Sequence, residues 1–202
     1  MLFRSIDYEK LKATLQTLDR IYFVDAAPPT HNVQITYVWT KKGQRRRIRS
    51  NTGRERYNIL GAYCPRDREY IDVRGTGNVN GQTLTQLIDR IRERHPEAGR
   101  ILLILDHARY NHAHWVQEHV ANTSVELHYL PSYSPNLNRI ERLWGFLKDK
   151  ALGDYHPTFE GFVDAIAQVL DHLQDYEEER ATLMTEKFEI LACDGDDLRF
   201  GQ

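Results

Sequence analysis

The sequence predicts an α/β domain in which a mixed sheet carries helices on both faces. Between about residues 21 and 73, apolar residues alternate with polar ones in short runs, a pattern typical of antiparallel strands. From residue 84 onward, helical spacing alternates with short apolar runs, which indicates parallel strands joined by crossover helices. The chain has 202 residues without repeats or Gly/Ser linkers, so we expect residues 1–202 to form a single domain.

The N-terminal part predicts one helix followed by an antiparallel meander. Residues 8–19 have the spacing of a short amphipathic helix, and residues 21–25 form an apolar run that ends in an acid, typical of a buried strand. Alternating patterns at residues 35–39 and 57–63 predict two further strands, with Gly43 and Gly53 as turn residues between them. Residues 70–73 extend the same sheet.

The second half predicts alternating helices and strands. A helix around residues 84–91 should end near Pro96, because proline cannot continue it. The apolar run 101–105 predicts a strand that is covered on both faces. The remaining predicted elements are a helix at about 112–120, a strand at 125–130, a turn at 131–136, a helix with the apolar stripe Ile140, Leu143, Trp144 and Leu147, and a helix with a stripe from Phe159 to Leu173.

Composition excludes several classes of protein. The longest uninterrupted apolar run has five residues, far fewer than the ~20 that cross a bilayer. The N-terminus lacks the apolar segment of a secretion signal. Cys64 and Cys193 lie far apart without CxxC spacing, which argues against a zinc ribbon or a disulfide framework. We therefore expect a cytoplasmic protein without a membrane partner.

The net charge of −2 is low for a nucleic-acid-binding protein, but the charges are segregated. Residues 41–56 contain eight basic residues and a single acid, Glu55. Such a segment can place a cationic strip along a phosphate backbone, and the alternative is a solvated arginine-rich hairpin. The DNA-binding residues expected here are Lys41, Lys42, Arg45, Arg46, Arg47 and Arg49.

Two acids stand at the carboxyl ends of predicted buried strands, Asp25 and Asp106. If those strands are parallel neighbours, both side chains emerge at the same sheet edge. Neighbouring carboxylates repel each other unless a cation intervenes, and oxygen-only ligands favour Mg²⁺ or Mn²⁺ over zinc. The alternative is that each aspartate only caps the turn that follows it.

A third acid, Glu141, lies 35 positions after Asp106, on a predicted helix. It falls beside the apolar stripe of that helix, in line with Gly145 and Lys148. From this position its carboxylate can reach the sheet edge, and Lys148 would point toward a phosphate. The alternative is a variant capping box, in which Asn138 and Glu141 satisfy the start of the helix.

Three segments resemble the motifs of one family. Residues 130–144, LPSYSPNLNRIERLW, closely resemble the signature LPPYSPxLNxIExxW of DDE transposases from the bacterial insertion-sequence branch of the mariner superfamily. Residues 104–110, ILDHARY, resemble the second-aspartate motif of that family, and residues 22–32, YFVDAAPPTHN, resemble the first. The resemblance extends over about residues 8–190, nearly the whole chain.

The resemblance implies a ribonuclease-H-like fold, with a meander of three antiparallel strands followed by parallel strands. It implies that Asp25, Asp106 and Glu141 are catalytic and bind two Mg²⁺ or Mn²⁺ ions, with Asp25 touching both. The reaction implied is DNA transposition, in which hydrolysis frees a 3′-hydroxyl at the transposon end and this hydroxyl attacks target DNA. The implied partners are therefore transposon-end and target DNA, in a synaptic homodimer associated with the bacterial nucleoid.

Two departures from the family pattern affect these expectations. His107 stands where the family commonly has Asn, and we expect His107 and Asn138 to support the metal ligands. Only 24 residues precede Asp25, so we expect the N-terminal helix-turn-helix domain to be absent and a DNA-binding part to be encoded separately. Two alternatives stay open: a ribonuclease-H-like nuclease without strand transfer, and a catalytically retired DNA-binding relic of a transposase.

Overall fold

The computed structural model describes residues 10–33, 49–121, 123–131 and 137–179. Their strands are β1 (Arg20–Ala27), β2 (Asn58–Cys64), β3 (Glu69–Gly75), β4 (Ile101–Leu105) and β5 (Val125–Tyr129). Their principal helices are α1 (Gly81–Arg94), α2 (His114–Ala121), α3 (Ile140–Leu147) and α4 (Phe159–Asp171). A 3-10 turn, Arg109–His112, precedes α2, and a π-helical turn, Lys148–Leu152, continues α3.

The strands form one mixed sheet in the order β3-β2-β1-β4-β5. β1, β2 and β3 pair antiparallel as a meander, whereas β4 pairs parallel to both β1 and β5. The predicted mixed sheet is therefore confirmed. The strand predicted at residues 35–39 lies outside the described residues, as do the predicted DNA-binding residues Lys41, Lys42, Arg45, Arg46 and Arg47.

Apolar residues cover both faces of the sheet because successive side chains of each strand point to opposite sides. Phe23 and Ile104 pack under α3 and α4, whereas Val24 and Leu103 pack under α1 and α2. All five residues of β4 are buried, which explains their continuous apolar run. The prediction of helices on both faces is confirmed. None of the described helices combines the length and apolar character needed to span a bilayer.

Local hydrogen bonds and side-chain exposure correct three of the predictions. Helical structure ends after residue 13 rather than residue 19, because the Thr14 hydroxyl bonds to the Leu11 carbonyl and the chain then turns. The helix predicted at 112–120 is interrupted at Ala113, whose backbone is extended. The large apolar side chain of Trp115 also predicts a core position, but Trp115 is 46% exposed, because α2 turns Val116 toward the sheet instead.

Asp19 joins the amino ends of the two central parallel strands. Its buried carboxylate accepts hydrogen bonds from the backbone N–H groups of Gln16 and Arg100 and from the Arg100 guanidinium, at 2.9–3.2 Å. Burial alone would raise the pKa of Asp19, but these hydrogen bonds outweigh burial and hold the pKa below its usual value. Asp19 therefore fixes the alignment of β1 and β4 at the end opposite to Asp25 and Asp106.

Replacing Asp19 with Asn is expected to lower the free energy of unfolding by about 1.5–3 kcal/mol near neutral pH, because charge-assisted hydrogen bonds are lost. The folded-state pKa of Asp19 is lowered, so its contribution is complete above the unfolded-state pKa of about 4 and disappears as the pH falls through the folded-state pKa. Urea unfolding of both proteins between pH 3 and pH 7 measures this. A stability difference that grows on acidification would contradict the assignment.

Candidate active site

Asp25 and Asp106 lie side by side at one edge of the sheet. β1 and β4 pair in parallel with Phe23 opposite Ile104, so the two aspartates, each two residues further on, emerge together. This edge, formed by the carboxyl ends of β1, β3, β4 and β5, is the carboxyl edge of the sheet. The sequence prediction that the two acids share an edge agrees with this register.

Asp106 is held through one of its two carboxylate oxygens. Its Oδ1 accepts hydrogen bonds from the backbone N–H of Ala108 at 3.0 Å and from Nδ2 of Asn111 at 2.9 Å. Asn111 Nδ2 also donates to the backbone carbonyl of Asp106, at 3.1 Å. Oδ1 of Asp106 therefore caps the following turn, as the alternative interpretation of this aspartate predicted. Asn111 is buried, and its role escaped the sequence analysis because it lies just past the aspartate motif.

Asp25 is held by an indole N–H. Trp144 Nε1 donates to Asp25 Oδ2 at 3.0 Å, so the helix that carries Glu141 also contacts the first aspartate. The ring of Trp144 packs edge-on against Tyr70, with ring centroids 6.2 Å apart. It reaches Asp25 across Gly61, the residue paired with Asp25 on β2. A Cβ atom at Gly61 would lie 2.7 Å from the Trp144 ring, so only glycine leaves this space.

The pKa of Asp25 depends on its burial and on the charges of the other two acids. Burial raises the pKa of Asp25 to about 7, and the negative charge of Glu141 contributes to the increase. The N–H groups of Trp144 and Ala26 lower the pKa, whereas the charge of Asp106 raises it further. Burial also raises the pKa of Glu141 itself. The charges of Glu141 and Asp106 therefore both act on Asp25.

Tyr110 belongs to the same environment, although the sequence analysis did not select it. Burial raises the pKa of its hydroxyl, and the charges of Asp106 and Asp25 raise it further. Tyrosine ionisation is unfavourable beside two carboxylates, so Tyr110 stays neutral and its O–H remains available as a hydrogen-bond donor.

Glu141 stands in the first turn of α3, which is anchored to β1. Asn138 Nδ2 donates to the carbonyl of Val24 at 3.2 Å, and the Arg139 guanidinium lies 5.8 Å from the centroid of the Phe23 ring. The capping-box alternative is wrong, since Asn138 Oδ1 is buried without a hydrogen-bond partner and the helix start has no side-chain cap. The start of α3 is thus tied to the residue before Asp25.

A cleft of about 360 Å³ opens beside Glu141. It lies between α3 and the loop that follows β1, and its lining includes Pro28, Glu141, Trp144, Gly145 and Lys148. The predicted alignment of Glu141, Gly145 and Lys148 on one face of the helix therefore agrees with the structure. Lys148 is exposed and stands where it can meet an anion entering the cleft.

The donor set fits a hard divalent cation. All three acids supply oxygen, and their mutual repulsion is the kind that a bound cation relieves. Within the described residues, the hydrogen bonds of Asp106 both fall on Oδ1 and leave Oδ2 for a ligand bond, whereas Asp25 accepts from Trp144 at Oδ2 and also from the N–H of Ala26. No three His, Cys, Asp or Glu side chains in the described ranges are grouped closely enough to hold one ion together.

Two further predicted residues make contacts away from the three acids. Among the described residues, the His107 ring contacts His112 and Tyr129, whereas the side-chain hydrogen bond to Asp106 comes from Asn111. The Arg49 guanidinium lies 6.0 Å from the ring centroid of Tyr155. Support of Asp106 by His107 and DNA contact by Arg49 stay predictions.

Comparison with known families identifies the kind of protein that carries this site. The profile of the DDE superfamily endonucleases matches residues 20–162, a range that includes all three acids. The chain belongs to this family. The prediction of a DDE protein, made from the motifs, is confirmed.

One relative of this DDE endonuclease is the insertion element IS630 uncharacterized 39 kDa protein of Shigella sonnei. The two are 27% identical over 151 residues, which cover 70% of the present chain and 43% of the relative. The DDE endonuclease chain thus spans less than half the length of this relative.

Solved structures show that the fold is shared with a transposase. The Mos1 transposase paired-end complex with left transposon end superposes with a TM-score of 0.60 at 16% identity, covering 91% of this chain and 60% of that one. The mariner Mos1 paired-end complex with Mg gives a TM-score of 0.60 at 17% identity, covering 89% and 53%. The ribonuclease-H-like fold predicted for this DDE endonuclease is therefore confirmed.

Replacing Trp144 with Phe keeps most of the ring but removes the N–H that holds Asp25. We expect DNA cleavage by the DDE endonuclease to fall roughly tenfold to a hundredfold, as for other groups that orient metal ligands. The lost hydrogen bond favoured the charged carboxylate, so the pKa of Asp25 should rise and the pH–rate profile should move to higher pH. Cleavage rates in Mg²⁺ between pH 6 and pH 9 measure both effects. Trp115→Phe, at an exposed tryptophan, is the control, and an unshifted profile for Trp144→Phe would refute this role.

Proposed function

We propose that this chain is the catalytic domain of a DNA transposase, which cuts DNA at a transposon end and joins the freed 3′-hydroxyl to target DNA. Asp25, Asp106 and Glu141 are its catalytic residues and would hold two Mg²⁺ or Mn²⁺ ions, with Asp25 contributing to both.

A single observation carries the proposal: Asp25 and Asp106 leave neighbouring parallel strands at the same edge, and α3, which carries Glu141, bonds to Asp25 through Trp144. These acids come from a strand end, a second strand end and a helix that are far apart in sequence. Nothing in the stability of the fold requires three carboxylates to share one edge, where their repulsion is unfavourable. A site that binds cations explains why they are gathered there.

The residues of the chain have separate tasks in this reaction. Asn111 and the backbone N–H of Ala108 orient Asp106 through its Oδ1, and Trp144 orients Asp25. Divalent ions held by these acids would activate the attacking oxygen and stabilise the leaving oxygen. Tyr110, kept neutral, is placed to donate a hydrogen bond to a phosphate oxygen beside the aspartates. No covalent bond between protein and DNA is needed.

DNA is the proposed partner. Solved structures with this fold include complexes named for a transposon end and for strand transfer. Lys148 in the cleft, the exposed Arg49 and the basic segment at residues 41–47 are proposed to contact the phosphate backbone. We also propose a homodimer in the assembled complex.

A strand-transfer assay tests the proposed function. A duplex with a pre-cleaved 3′-hydroxyl end is incubated with a supercoiled target plasmid in Mg²⁺ or Mn²⁺, and joined products are counted on a gel. We expect joining by the native chain, loss of joining in Glu141→Gln, and no change in Glu97→Gln. Glu97 is a matched control because it is exposed and precedes β4, at the opposite end of the strand from Asp106. Cleavage without joining would identify a hydrolytic nuclease, and no reaction with either ion would identify a retired relic.

A further inference from the structure

Three rings form a layer at the carboxyl edge, next to the acids but separate from them. His107 directly follows Asp106, His112 ends the 3-10 turn, and Tyr129 is the last residue of β5. The three ring planes lie within 11–22° of one another, and the closest pair, His112 and Tyr129, has centroids 4.3 Å apart. His107 and His112 are both exposed, so this ring layer faces solvent.

The ring layer is fixed in place rather than loosely collapsed. The hydroxyl of Tyr129 donates to the backbone carbonyl of Asn111 at 3.0 Å and accepts from Nε2 of Gln117 at 3.0 Å. Asn111 is the residue whose amide holds Asp106. One buried residue therefore sets the position of both the carboxylate and the ring layer.

We propose that the ring layer of His107, His112 and Tyr129 binds an unpaired nucleobase of the DNA strand whose phosphate lies at Asp106. This inference rests on the proposed function, since it assigns a place to part of the same substrate. A nucleobase is planar and presents a π-face of the size that imidazole and phenol rings cover. Stacking on such a layer accepts any base, because every base has the same kind of face.

The base must be unpaired because a base within a duplex has both faces covered by its neighbours. Strand cleavage and joining create ends, and bases at an end or extruded from the helix offer a free face. His107 directly follows Asp106, so the ring layer adjoins the proposed position of the phosphate, and we assign the neighbouring base to these rings. In this arrangement the phosphate is held electrostatically at the proposed metal site, and the adjacent base is held by stacking on the ring layer.

A metal ion is a poorer occupant of this position. Nδ1 of His107 and Nε2 of His112 are 3.3 Å apart, a distance at which two ligands could share an ion. A stable zinc site needs at least three protein ligands, and the described ranges contain no group of three His, Cys, Asp or Glu side chains in reach of one ion. The parallel stacking of the rings also favours a planar ligand.

Fluorescence of 2-aminopurine tests the proposal, since stacking quenches this base. A duplex carrying one unpaired 2-aminopurine at its 3′ end, and a blunt duplex with the same base paired, are titrated with the intact chain in Ca²⁺. We expect strong quenching of the unpaired base only. His112→Ala should weaken binding of the unpaired end by roughly fivefold to a hundredfold, and His112→Phe, which restores a ring face, should recover most of it. His119→Ala is the control, because His119 lies in the second half of α2 and pairs with Asp89.

Two outcomes would overturn the inference: equal binding by native chain and His112→Ala, or equal quenching of the paired and unpaired ends. Folding of the variant is checked by its thermal melt, and the exposed position of His112 makes a folding defect unexpected. The titration does not depend on cleavage. If the native chain cleaves DNA but His112→Ala binds the unpaired end as tightly as the native chain, the role of the ring layer is refuted and the proposed function stands. If quenching depends on His112 but the native chain does not cleave DNA, the proposed function is refuted instead.

Discussion

Asp25→Asn is expected to abolish DNA cleavage, with a decrease of at least about three orders of magnitude in rate. Asp25 is the proposed ligand of both ions, and an amide lacks the charge that holds them. Metal-ion stabilisation of a phosphoryl transition state is worth several kcal/mol, and each 1.36 kcal/mol changes the rate tenfold. Single-turnover cleavage of an end-labelled duplex in Mg²⁺ and in Mn²⁺ measures the loss. Glu97→Gln should retain the native rate.

The same variant is expected to be more stable than the native chain when no metal is present. The folded-state pKa of Asp25 is raised to about 7, so the native fold loses stability as the pH rises from about 4 to about 7 and this carboxyl group ionises. Asn removes the charge, and we expect the melting temperature at pH 7.5 in EDTA to increase by about 2–5 °C.

Addition of Mg²⁺ should reverse this order, because only the native chain gains stability from ion binding. A variant that is inactive yet less stable in EDTA would point to a folding defect instead. Calorimetric titration with Mn²⁺ provides an independent check, since Asp25→Asn should bind far less metal than the native chain. Equal Mn²⁺ binding by the native chain and by Asp25→Asn would show that Asp25 is not a metal ligand.

Gly61→Ala is expected to reduce both stability and activity, although Gly61 is not one of the proposed catalytic residues. A Cβ atom at this position would lie 2.7 Å from the Trp144 ring and 2.8 Å from the Tyr70 ring, distances that force the rings to move. Overpacking of this kind lowers the free energy of unfolding by about 1–3 kcal/mol. Displacement of Trp144 should also break its hydrogen bond to Asp25, so we expect cleavage to fall by at least about tenfold.

Gly77→Ala is the matched control, because a Cβ atom there meets nothing within 4 Å. Chemical denaturation gives the stability change, and cleavage rates measured well below the melting temperature separate activity from unfolding. The pH–rate profile of Gly61→Ala should shift in the same direction as that of Trp144→Phe. Loss of stability with an unchanged rate and profile would show that the Trp144–Asp25 contact has no influence on the reaction.

The local part of the fold was predictable because neighbouring residues determine it. The run at 101–105 identified a fully buried strand, and the helix that starts at Gly81 ends at Arg94, two residues before Pro96. Exposure was less predictable: Trp115 has an apolar side chain, but the direction in which α2 packs leaves it on the surface. The end of the first helical segment was also missed, since side-chain hydrogen bonds near Thr14 compete with helix formation.

The sequence by itself determined the family and the mixed sheet and predicted the three acids, because motifs, apolar periodicity and strand ends are properties of short stretches of chain. Only the tertiary structure decided that Trp144 bonds to Asp25, that Asn111 holds Asp106, and that Gly61 leaves room for the indole ring. The contacts of Trp144 and Gly61 join residues more than 80 positions apart and depend on the register of strands against a helix. No local pattern records that register, since it emerges only when both faces of the sheet are packed.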